Sequence, residues 1–553
     1  MIPPSKAPIT MQMLQELFTN HELLRRERSR PQAAPSGGVT RVGILGGGTA
    51  GWFTALALRA QLPFLEVTVI ETPSVPIIGV GEASVPSLVA FLHHYLKLDV
   101  LEFTREVQPT WKQGIRFEWG QPGDYAFQAP FDWEVNGVGM LGSMGETGNI
   151  NSFTLQAALM ERDTTPILKH GGQLQSFLPL LAFAYHLDNQ RLVSYLSRTA
   201  IARGVSHRDV KIVDAELEPE GPPGEPRIRR LLCDSGESLE FDLYIDCSGF
   251  RSFLLGDKLA EPFQSYGSSL FTDSAVAFNA PHNGKIKPYT TARTMDHGWC
   301  WNIPMFENDH LGYVYSSAYC SQDQALEEAR KQWPALTNER LVRFRSGRRQ
   351  RAWVGNVYAI GNAYAFVEPL ESTGLLMITR AISSLVRAFP LGPDESAMKH
   401  VINQSAARDW DRLRWFLSAH YKFNQRLETK FWQDVRETTD ISGLETALTL
   451  FRQYGPLSLL SRAMRTQLNE TTGVFFYGLH GLDTILLGQK VPHAQLDREP
   501  KIVWQARRQM AVDFARRGLS QADAHKALKE HPEWLKQLIE HPSSWVSKMA
   551  TYV

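Results

Sequence analysis

A glycine-rich turn between two apolar segments restricts the fold of this chain more than any other feature. Arg41-Val-Gly-Ile-Leu45 is a short apolar run typical of a buried strand, and it leads directly into Gly46-Gly-Gly-Thr-Ala-Gly51. A helical pattern begins at Trp52, and a second strand pattern covers Leu65 to Ile70. Because a strand, a crossover helix and a second strand connect in parallel, this segment predicts an α/β protein that begins with a doubly wound parallel sheet.

The glycines are also spaced for phosphate binding. Gly46, Gly48 and Gly51 fit the pattern G-x-G-x-x-G, which allows a tight turn, backbone approach to a pyrophosphate and close packing of helix on strand. The N-terminus of the following helix offers free N–H groups to the phosphates. Glu71 ends the second strand at the distance expected of a carboxylate that binds a ribose hydroxyl. This context favours a dinucleotide site over a glycine turn without a ligand.

Two later glycine motifs favour FAD over NAD. Asp246-Cys-Ser-Gly249 and Ile360-Gly361-Asn362 each end a strand pattern far along the chain, and an extended FAD contacts several such loops. No second G-x-G-x-x-G lies between a strand pattern and a helical pattern, so the sequence predicts no NAD(P)H domain. Reduced flavin would then come from a separate protein.

Composition and charge exclude several classes of function. The formal net charge is zero, which favours neither nucleic acid nor an anionic membrane as a partner. The four cysteines have neither C-x-x-C spacing nor histidines at zinc-ligand intervals, so we expect no metal site and a reducing compartment. Since there is no apolar signal segment and no run of about 18 apolar residues, we expect a cytoplasmic protein without a membrane span.

Four motifs, in order, match those of a known family. They are GGGTAGW at 46–52, GVGEAS at 79–84, WCWNIP at 299–304 and FVEPLESTG at 366–374. With this set the chain resembles the flavin-dependent tryptophan halogenases over roughly residues 40 to 390, and the last two motifs are the most specific. The resemblance implies a Rossmann-like FAD-binding fold of the GR2 flavoprotein monooxygenase type.

The resemblance also implies an activity. In this family, reduced FAD and O2 convert chloride or bromide into hypohalous acid, which passes through a tunnel to a separate pocket and halogenates an electron-rich aromatic ring there. It implies FAD and a halide as cofactors, a small aromatic substrate and a separate NAD(P)H-flavin reductase. It further suggests a homodimer.

The chain is expected to have three regions. Residues 1–39 form an N-terminal extension, either a short helix docked on the body or an arm that binds a partner. Residues 40–390 form the FAD-binding and halogenase core, with strand patterns at 210–218 and 228–247. Residues 391–553 form a mainly helical C-terminal subdomain that caps the substrate site.

Lys112 and Glu371 are the catalytic residues that the resemblance implies. Lys112 lies in TWKQGIRFEW at 110–119, where strand alternation groups it with Arg116 and Glu118 and by itself favours a solvated lysine. By resemblance, Lys112 polarises the hypohalous acid or forms a haloamine, while Glu371 assists it and takes the proton from the halogenated ring. A carboxylate favoured by a helix dipole is a compatible role for Glu371.

Residues next to this pair complete the halogenating site. Thr373 and Gly374 are expected to bind the halide, because backbone N–H groups at a helix start trap small anions. By resemblance, Ser372 links the flavin and substrate chambers, and Trp299 and Trp301 keep organic substrates away from the flavin. A role for both tryptophans as ordinary core aromatics stays open.

The expected FAD contacts come from both halves of the core. They combine the glycine motif with family positions, namely Gly46, Gly47, Gly48, Ala50, Gly51, Thr72, Val75, Glu82, Ala83, Asn362 and Leu375.

The segments that bind the substrate in the free-tryptophan enzymes are not matched in this sequence. The free-tryptophan enzymes carry a late Y-Y-x-x-x-E-E-E segment, which this sequence lacks, and Gln128 and Phe131 stand near the family's indole-binding histidine and phenylalanine. Selecting the free amino acid needs groups for its amino and carboxyl ends, so we expect an indole-type substrate other than free tryptophan. An aromatic hydroxylase and a non-catalytic flavoprotein are the alternative functions.

Overall fold

The computed structural model describes residues 38–72, 81–131, 154–219, 225–282, 284–389, 396–471, 478–494 and 500–549. Val75 and nearly all of the N-terminal extension, residues 1–37, lie outside the described residues.

The strands of the described residues are, in chain order, β1 (Arg41–Leu45), β2 (Glu66–Glu71), β3 (Glu82–Ala83), β4 (Thr110–Lys112), β5 (Gly114–Glu118), β6 (Phe127–Pro130), β7 (Ile167–His170), β8 (Gln173–Ser176), β9 (Ala184–Leu187), β10 (Ser206–Asp209), β11 (Ile212–Leu217), β12 (Ile228–Cys233), β13 (Ser238–Leu239), β14 (Leu243–Asp246), β15 (Phe263–Ser265), β16 (Ser274–Ala280), β17 (Thr290–Met295), β18 (Gly298–Pro304), β19 (Asp309–Tyr315), β20 (Thr337–Arg343), β21 (Gly347–Arg349), β22 (Trp353–Val354), β23 (Val357–Ala359) and β24 (Ala365–Phe366).

The α-helices of the same residues are α1 (Thr49–Gln61), α2 (Pro86–Ala90), α3 (Val100–Val107), α4 (Leu155–Glu161), α5 (Asn189–Ala202), α6 (Gln322–Gln332), α7 (Gly374–Ala388), α8 (Ser396–Lys422), α9 (Lys430–Thr438), α10 (Glu445–Tyr454), α11 (Arg462–Thr471), α12 (Gly478–Gly488), α13 (Lys501–Ala515), α14 (Gln521–Glu530), α15 (Glu533–Glu540) and α16 (Trp545–Met549). Helix α2 continues into a π-helical turn, Phe91–Tyr95.

The parallel sheet predicted from the glycine turn is present. Its strand order is β10-β2-β1-β14-β23-β22, and all pairs are parallel except β22 with β23 at the edge. Helix α1 crosses from β1 to β2 and buries most of its side chains, as its apolar sequence predicts. Together with the mixed second sheet and the many helices, this confirms the predicted α/β class.

A second, mostly antiparallel sheet carries the tryptophan motif. In the described part of the chain its order is β20-β16-β19-β18-β17-β5-β6, with β17 and β5 as its parallel pair. Strand β18 holds the residues of WCWNIP. A continuous hydrophobic core joins this sheet, the parallel sheet and the C-terminal helices.

Two strand patterns of the sequence are divided differently in the structure. The region 110–119 is not one strand, because β4 pairs with β9 whereas β5 pairs with β6 and β17. The region 228–247 is also divided, and β14 joins the parallel sheet instead of the small sheet β11-β12-β13. In both regions the two parts pair with different strands, so a single strand predicted from local alternation is divided into two.

None of the helices in the described ranges is both long and apolar enough to cross a bilayer.

Candidate active site

The glycine turn has the backbone geometry that its spacing predicts. Gly46 has φ +118°, and a Cβ there would lie 2.3 Å from the carbonyl oxygen of Cys247. At Gly51 a Cβ would lie 1.9 Å from the carbonyl oxygen of Gly46. A side chain at either position would collide with backbone, so the close packing of α1 on β1 requires glycine.

The same turn leaves room for a dinucleotide phosphate. Gly48 is the N-cap residue of α1, and a Cβ built on it meets no atom within 4 Å. The side chain of Glu71 lies against Gly47, where it would collide with a Cβ, and it accepts an ion-pair contact from His207 Nε2 at 3.1 Å. Open space at a helix N-terminus, beside a carboxylate at a strand end, fits a pyrophosphate and ribose.

The two late glycine motifs lie beside this turn. A Cβ on Gly361 would be 3.4 Å from Ala50 Cβ, which places the neighbouring Asn362 near the start of α1. Asp246 is fully buried, and its carboxylate accepts the backbone N–H groups of Leu254 and Leu255 at 2.8 and 2.9 Å. Asp246 therefore holds the loop after β14 in place.

Lys112 is fully buried. The prediction of a solvated lysine, which strand alternation alone favours, is therefore wrong. Its Nζ donates to the carbonyl oxygen of Ser84 at 3.0 Å and to Ser372 Oγ at 2.6 Å. Burial lowers the pKa of Lys112 to about 7, and the nearby carboxylate of Glu371 partly offsets that effect. Near neutral pH both the ammonium and the nucleophilic amine are therefore accessible.

The segment before β4 connects Lys112 to the expected flavin contacts. Glu82 and Ala83 form β3, which pairs with Leu187 and His186 of β9. The next residue, Ser84, supplies the carbonyl group that binds Lys112. Because Lys112 pairs with the same strand β9, Glu82, Ala83 and the lysine belong to one small sheet. Thr72 lies elsewhere, directly after β2.

Glu371 contacts a histidine that the sequence did not single out. His420 Nε2 lies 2.7 Å from Glu371 Oε1, and both side chains are almost fully buried. His420 lies 49 residues farther along the chain, inside the long helix α8. No local motif surrounds it, so spacing in the sequence could not have identified this contact.

The FVEPLESTG segment ends in a helix start beside Lys112. Ser372 adopts a left-handed conformation with φ +57°, and its hydroxyl accepts the Lys112 hydrogen bond. Thr373 is the N-cap of α7, Gly374 its first residue and Leu375 its second. A Cβ on Gly374 would meet nothing within 4 Å, so a small anion has space at the exposed N–H groups of this helix end.

Trp299 and Trp301 are both buried on β18, with ring centroids 6.1 Å apart. Trp301 pairs with Gly312 of β19, where a Cβ would lie 1.9 Å from the indole. The glycine therefore makes room for the ring across the strand pair.

A small cavity opens at Glu371. Its walls are mostly apolar and are formed by Ile115, Ala129, Pro130, Phe131, Glu371, Phe416, Gly481, Thr484 and Ile485. The Lys112 ammonium lies 5.4 Å from the centre of the Phe131 ring. The cavity therefore has Glu371 in its wall, and Lys112 lies next to a second wall residue, Phe131.

The buried lysine predicts how stability depends on pH. Because the pKa of Lys112 falls to about 7 from 10.5, the unfolded chain binds more protons than the folded one between these values. The free energy of unfolding therefore gains a contribution that grows as the pH rises from about 7 and is complete near the unfolded pKa. In urea titrations, wild type should gain stability relative to Lys112→Met between about pH 7 and pH 9.

The exposed Lys169 of β7 provides the control. Lys169→Met should change stability equally at each pH. A constant difference between wild type and Lys112→Met would contradict the burial of the charged group.

Comparison with known proteins agrees with this geometry. The tryptophan halogenase family model matches residues 41–503. Tryptophan 7-halogenase KtzQ of Kutzneria sp. (strain 744) is 35% identical over 448 residues, which cover 75% of this chain and 82% of the relative.

Solved structures show the same likeness. MibH, a lathipeptide tryptophan 5-halogenase, is 48% identical, with a TM-score of 0.89, and the match covers 94% of this chain and 100% of that one. BrvH, a flavin-dependent halogenase from Brevundimonas sp. BAL3, is 30% identical with a TM-score of 0.76, over 89% and 99% of the two chains. With a glycine turn shaped for a dinucleotide, a buried lysine beside a glutamate and a family match over most of its length, the chain belongs to the flavin-dependent tryptophan halogenases, a family of oxidoreductase-type enzymes.

Proposed function

We propose that this protein uses reduced FAD, O2 and chloride or bromide to halogenate an indole ring, with Lys112 and Glu371 as its catalytic residues. The observation that carries the proposal is the buried Lys112 ammonium, which is hydrogen-bonded to Ser372 Oγ and interacts with the adjacent Glu371 at the edge of an apolar cavity. A lysine buried without a function would only cost stability.

The residues that would hold FAD belong to the carboxyl edge of the parallel sheet, to β3 and to the start of α7. The glycine turn at 46–51 would bind the pyrophosphate, and Glu71 would bind the ribose. Thr72, Glu82, Ala83, Asn362 and Leu375 are proposed to contact the remainder. When bound, reduced FAD supplies with O2 the oxidising equivalent that converts the halide into hypohalous acid.

The other residues act in turn on the halide, the oxidant and the ring. The N–H groups at Thr373 and Gly374 hold the halide. The Lys112 ammonium polarises the hypohalous acid by donating a hydrogen bond to it, or the neutral amine carries the halogen as a haloamine. Glu371 accepts the proton released when the halogenated ring regains aromaticity. The buried indoles of Trp299 and Trp301 exclude organic molecules from the flavin.

We further propose that the indole belongs to a larger molecule, such as a tryptophan side chain within a peptide. The described residues lining the cavity include one carboxylate, Glu371, and one hydroxyl, Thr484, and no cation for a free α-carboxylate. The structural relative MibH is described as a lathipeptide tryptophan 5-halogenase. The described lining therefore offers apolar contacts for the ring and no cationic group for the α-carboxylate of a free amino acid.

The test combines the purified protein with FAD, NADH, a separate flavin reductase, and bromide or chloride. The substrates are free tryptophan, N-acetyltryptophan amide and a short peptide with one tryptophan. We expect mass spectra to show the halogen isotope doublet, with more product from the capped substrates than from free tryptophan. A gain of one oxygen without halogen would instead identify an aromatic hydroxylase.

A further inference from the structure

The hydrogen bonds of His420 restrict where its protons are. Nδ1 lies 3.1 Å from the carbonyl oxygen of Phe416, a group that can only accept, so Nδ1 carries a hydrogen. Nε2 lies 2.7 Å from Glu371 Oε1. A hydrogen bond at this distance needs one proton between the two atoms, either on the imidazole or on the carboxyl group.

The surroundings of His420 keep this proton away from water. The imidazole is fully buried and packs against the rings of Phe117 and Phe416. Its own backbone carbonyl accepts from Trp119 Nε1 at 2.9 Å. In this buried environment, loss of the proton would leave the pair with a net negative charge, which is costly to bury.

Among the described residues, Lys112 and Glu368 are ionisable groups that interact with the pair. Lys112 interacts electrostatically with Glu371. Glu368, on the same loop, interacts with His420, accepts a hydrogen bond from Thr272 and has its pKa raised by burial. Burial favours the neutral form of Glu368. Of the two glutamates on this loop, Glu371 is therefore the one that we assign to the hydrogen bond with His420 and its proton.

We propose that His420 is a positioning residue that shares one proton with Glu371 and keeps this glutamate able to accept the proton of the halogenated ring. This inference rests on the proposed function, and it adds a third member to the Lys112 and Glu371 pair. It assigns to α8, outside the core motifs, a part in the chemistry that is exerted through Glu371.

The proton balance is the same wherever the shared proton starts. The C–H bond of the cationic ring intermediate breaks, its electron pair returns to the ring, and its proton goes to Glu371. If Glu371 began as a carboxylate, it becomes a carboxylic acid beside an imidazolium. If Glu371 began protonated, the shared proton moves to His420 Nε2 as the ring proton arrives, and the same two-proton state results. The positive charge therefore leaves the substrate and ends on buried His420.

Nitrogen NMR of the full-length protein labelled with [15N]histidine tests proton sharing without turnover. The His420 signals are identified by their loss in His420→Gln, or in His420→Asn if the first variant does not fold. We expect a protonated Nδ1 and an Nε2 signal that shifts in Glu371→Gln. An unprotonated Nδ1, or an Nε2 signal that is the same in both proteins, would overturn the proposal.

His93 is the matched control for both experiments. It is a buried histidine whose Nδ1 also faces a backbone carbonyl, that of Leu98 at 3.0 Å, but its Nε2 faces the Tyr185 hydroxyl at 3.2 Å. Burial lowers the pKa of His93 to about 4, so its ring is neutral at pH 7. Its signals should not respond to Glu371→Gln.

Kinetics with a ring-deuterated indole substrate test the catalytic consequence. Glutamine at 420 keeps an N–H donor but cannot take up a proton, so kcat should fall by about 10- to 100-fold with little change in KM. Loss of the ring proton should then limit the rate and produce a primary deuterium isotope effect that wild type and His93→Gln lack.

A His420→Gln enzyme with wild-type kcat, or with a lower kcat and no isotope effect, would mean that His420 serves packing alone. If wild type itself halogenates none of the indole substrates, the proposed function fails, and the NMR experiment still decides whether the proton is shared.

Discussion

Replacing Lys112 by methionine is expected to remove nearly all halogenation of the indole ring. Methionine is close to lysine in length and fits a buried site, but it can neither polarise hypohalous acid nor carry a halogen on nitrogen. We expect kcat to fall by about 100- to 10,000-fold, the range typical of a lost catalytic side chain. Lys112 is not among the residues proposed to hold FAD, so we expect the variant to bind FAD.

Two measurements distinguish the formation of hypohalous acid from the halogenation of the indole ring. Halogenated indole is measured by mass spectrometry, and free hypohalous acid is measured with a halogen-accepting β-diketone. Lys112→Met should still halogenate the diketone while the indole product disappears. The control Lys169→Met changes an exposed lysine of β7 and should keep full activity. Substantial indole product from Lys112→Met would exclude Lys112 as the residue that directs the halogen.

Replacing Glu371 by glutamine is expected to have the second largest effect. Glutamine has nearly the same shape and can still hydrogen-bond to His420, but it cannot take the ring proton. It also removes the charge that partly offsets the burial of Lys112, so the pKa of Lys112 should fall further. We expect kcat to decrease by about 100-fold or more, with a smaller change in KM.

The pH dependence of the Lys112 titration shows whether Glu371 acts on this lysine. If Glu371 stabilises the Lys112 ammonium, titration of that lysine should occur at lower pH in Glu371→Gln than in wild type, which NMR of the labelled lysine side chains can follow. Glu530→Gln, a change at an exposed residue near the end of α14, should leave both the profile and the rate as in wild type. An unchanged lysine titration in Glu371→Gln would mean that the two groups do not interact.

The two catalytic variants and His420→Gln should produce different patterns. Loss of Lys112 prevents transfer of the halogen to the ring, whereas changes at Glu371 or His420 slow the later loss of the proton. A deuterium isotope effect is therefore expected for the Glu371 and His420 variants and not for Lys112→Met, whose residual rate is limited before the C–H bond breaks.

The glycine turn shows how much of this protein follows from sequence alone. Gly46, Gly48 and Gly51 each meet a local requirement, namely a positive φ, open space for a ligand, and close helix packing. Such requirements act over a few residues, so spacing was sufficient to predict β1, α1, β2 and the parallel sheet. The family motifs likewise indicated Lys112, Glu371 and the helix start at Gly374 because each lies within a short recognisable segment.

The environment of these residues was decided only by the tertiary structure. Alternation in 110–119 favoured a solvated lysine, but β4 pairs with β9 instead of continuing into β5, and Lys112 is buried. Its partner Ser372 is 260 residues away, and His420 reaches Glu371 from the last turn of the long helix α8. Burial and proton sharing depend on contacts between distant segments, which local spacing does not record. The sequence therefore indicated which chemistry the chain carries, whereas the contact of α8 with Glu371 and the pairing of β4 with β9 decided how deeply the charged groups are buried.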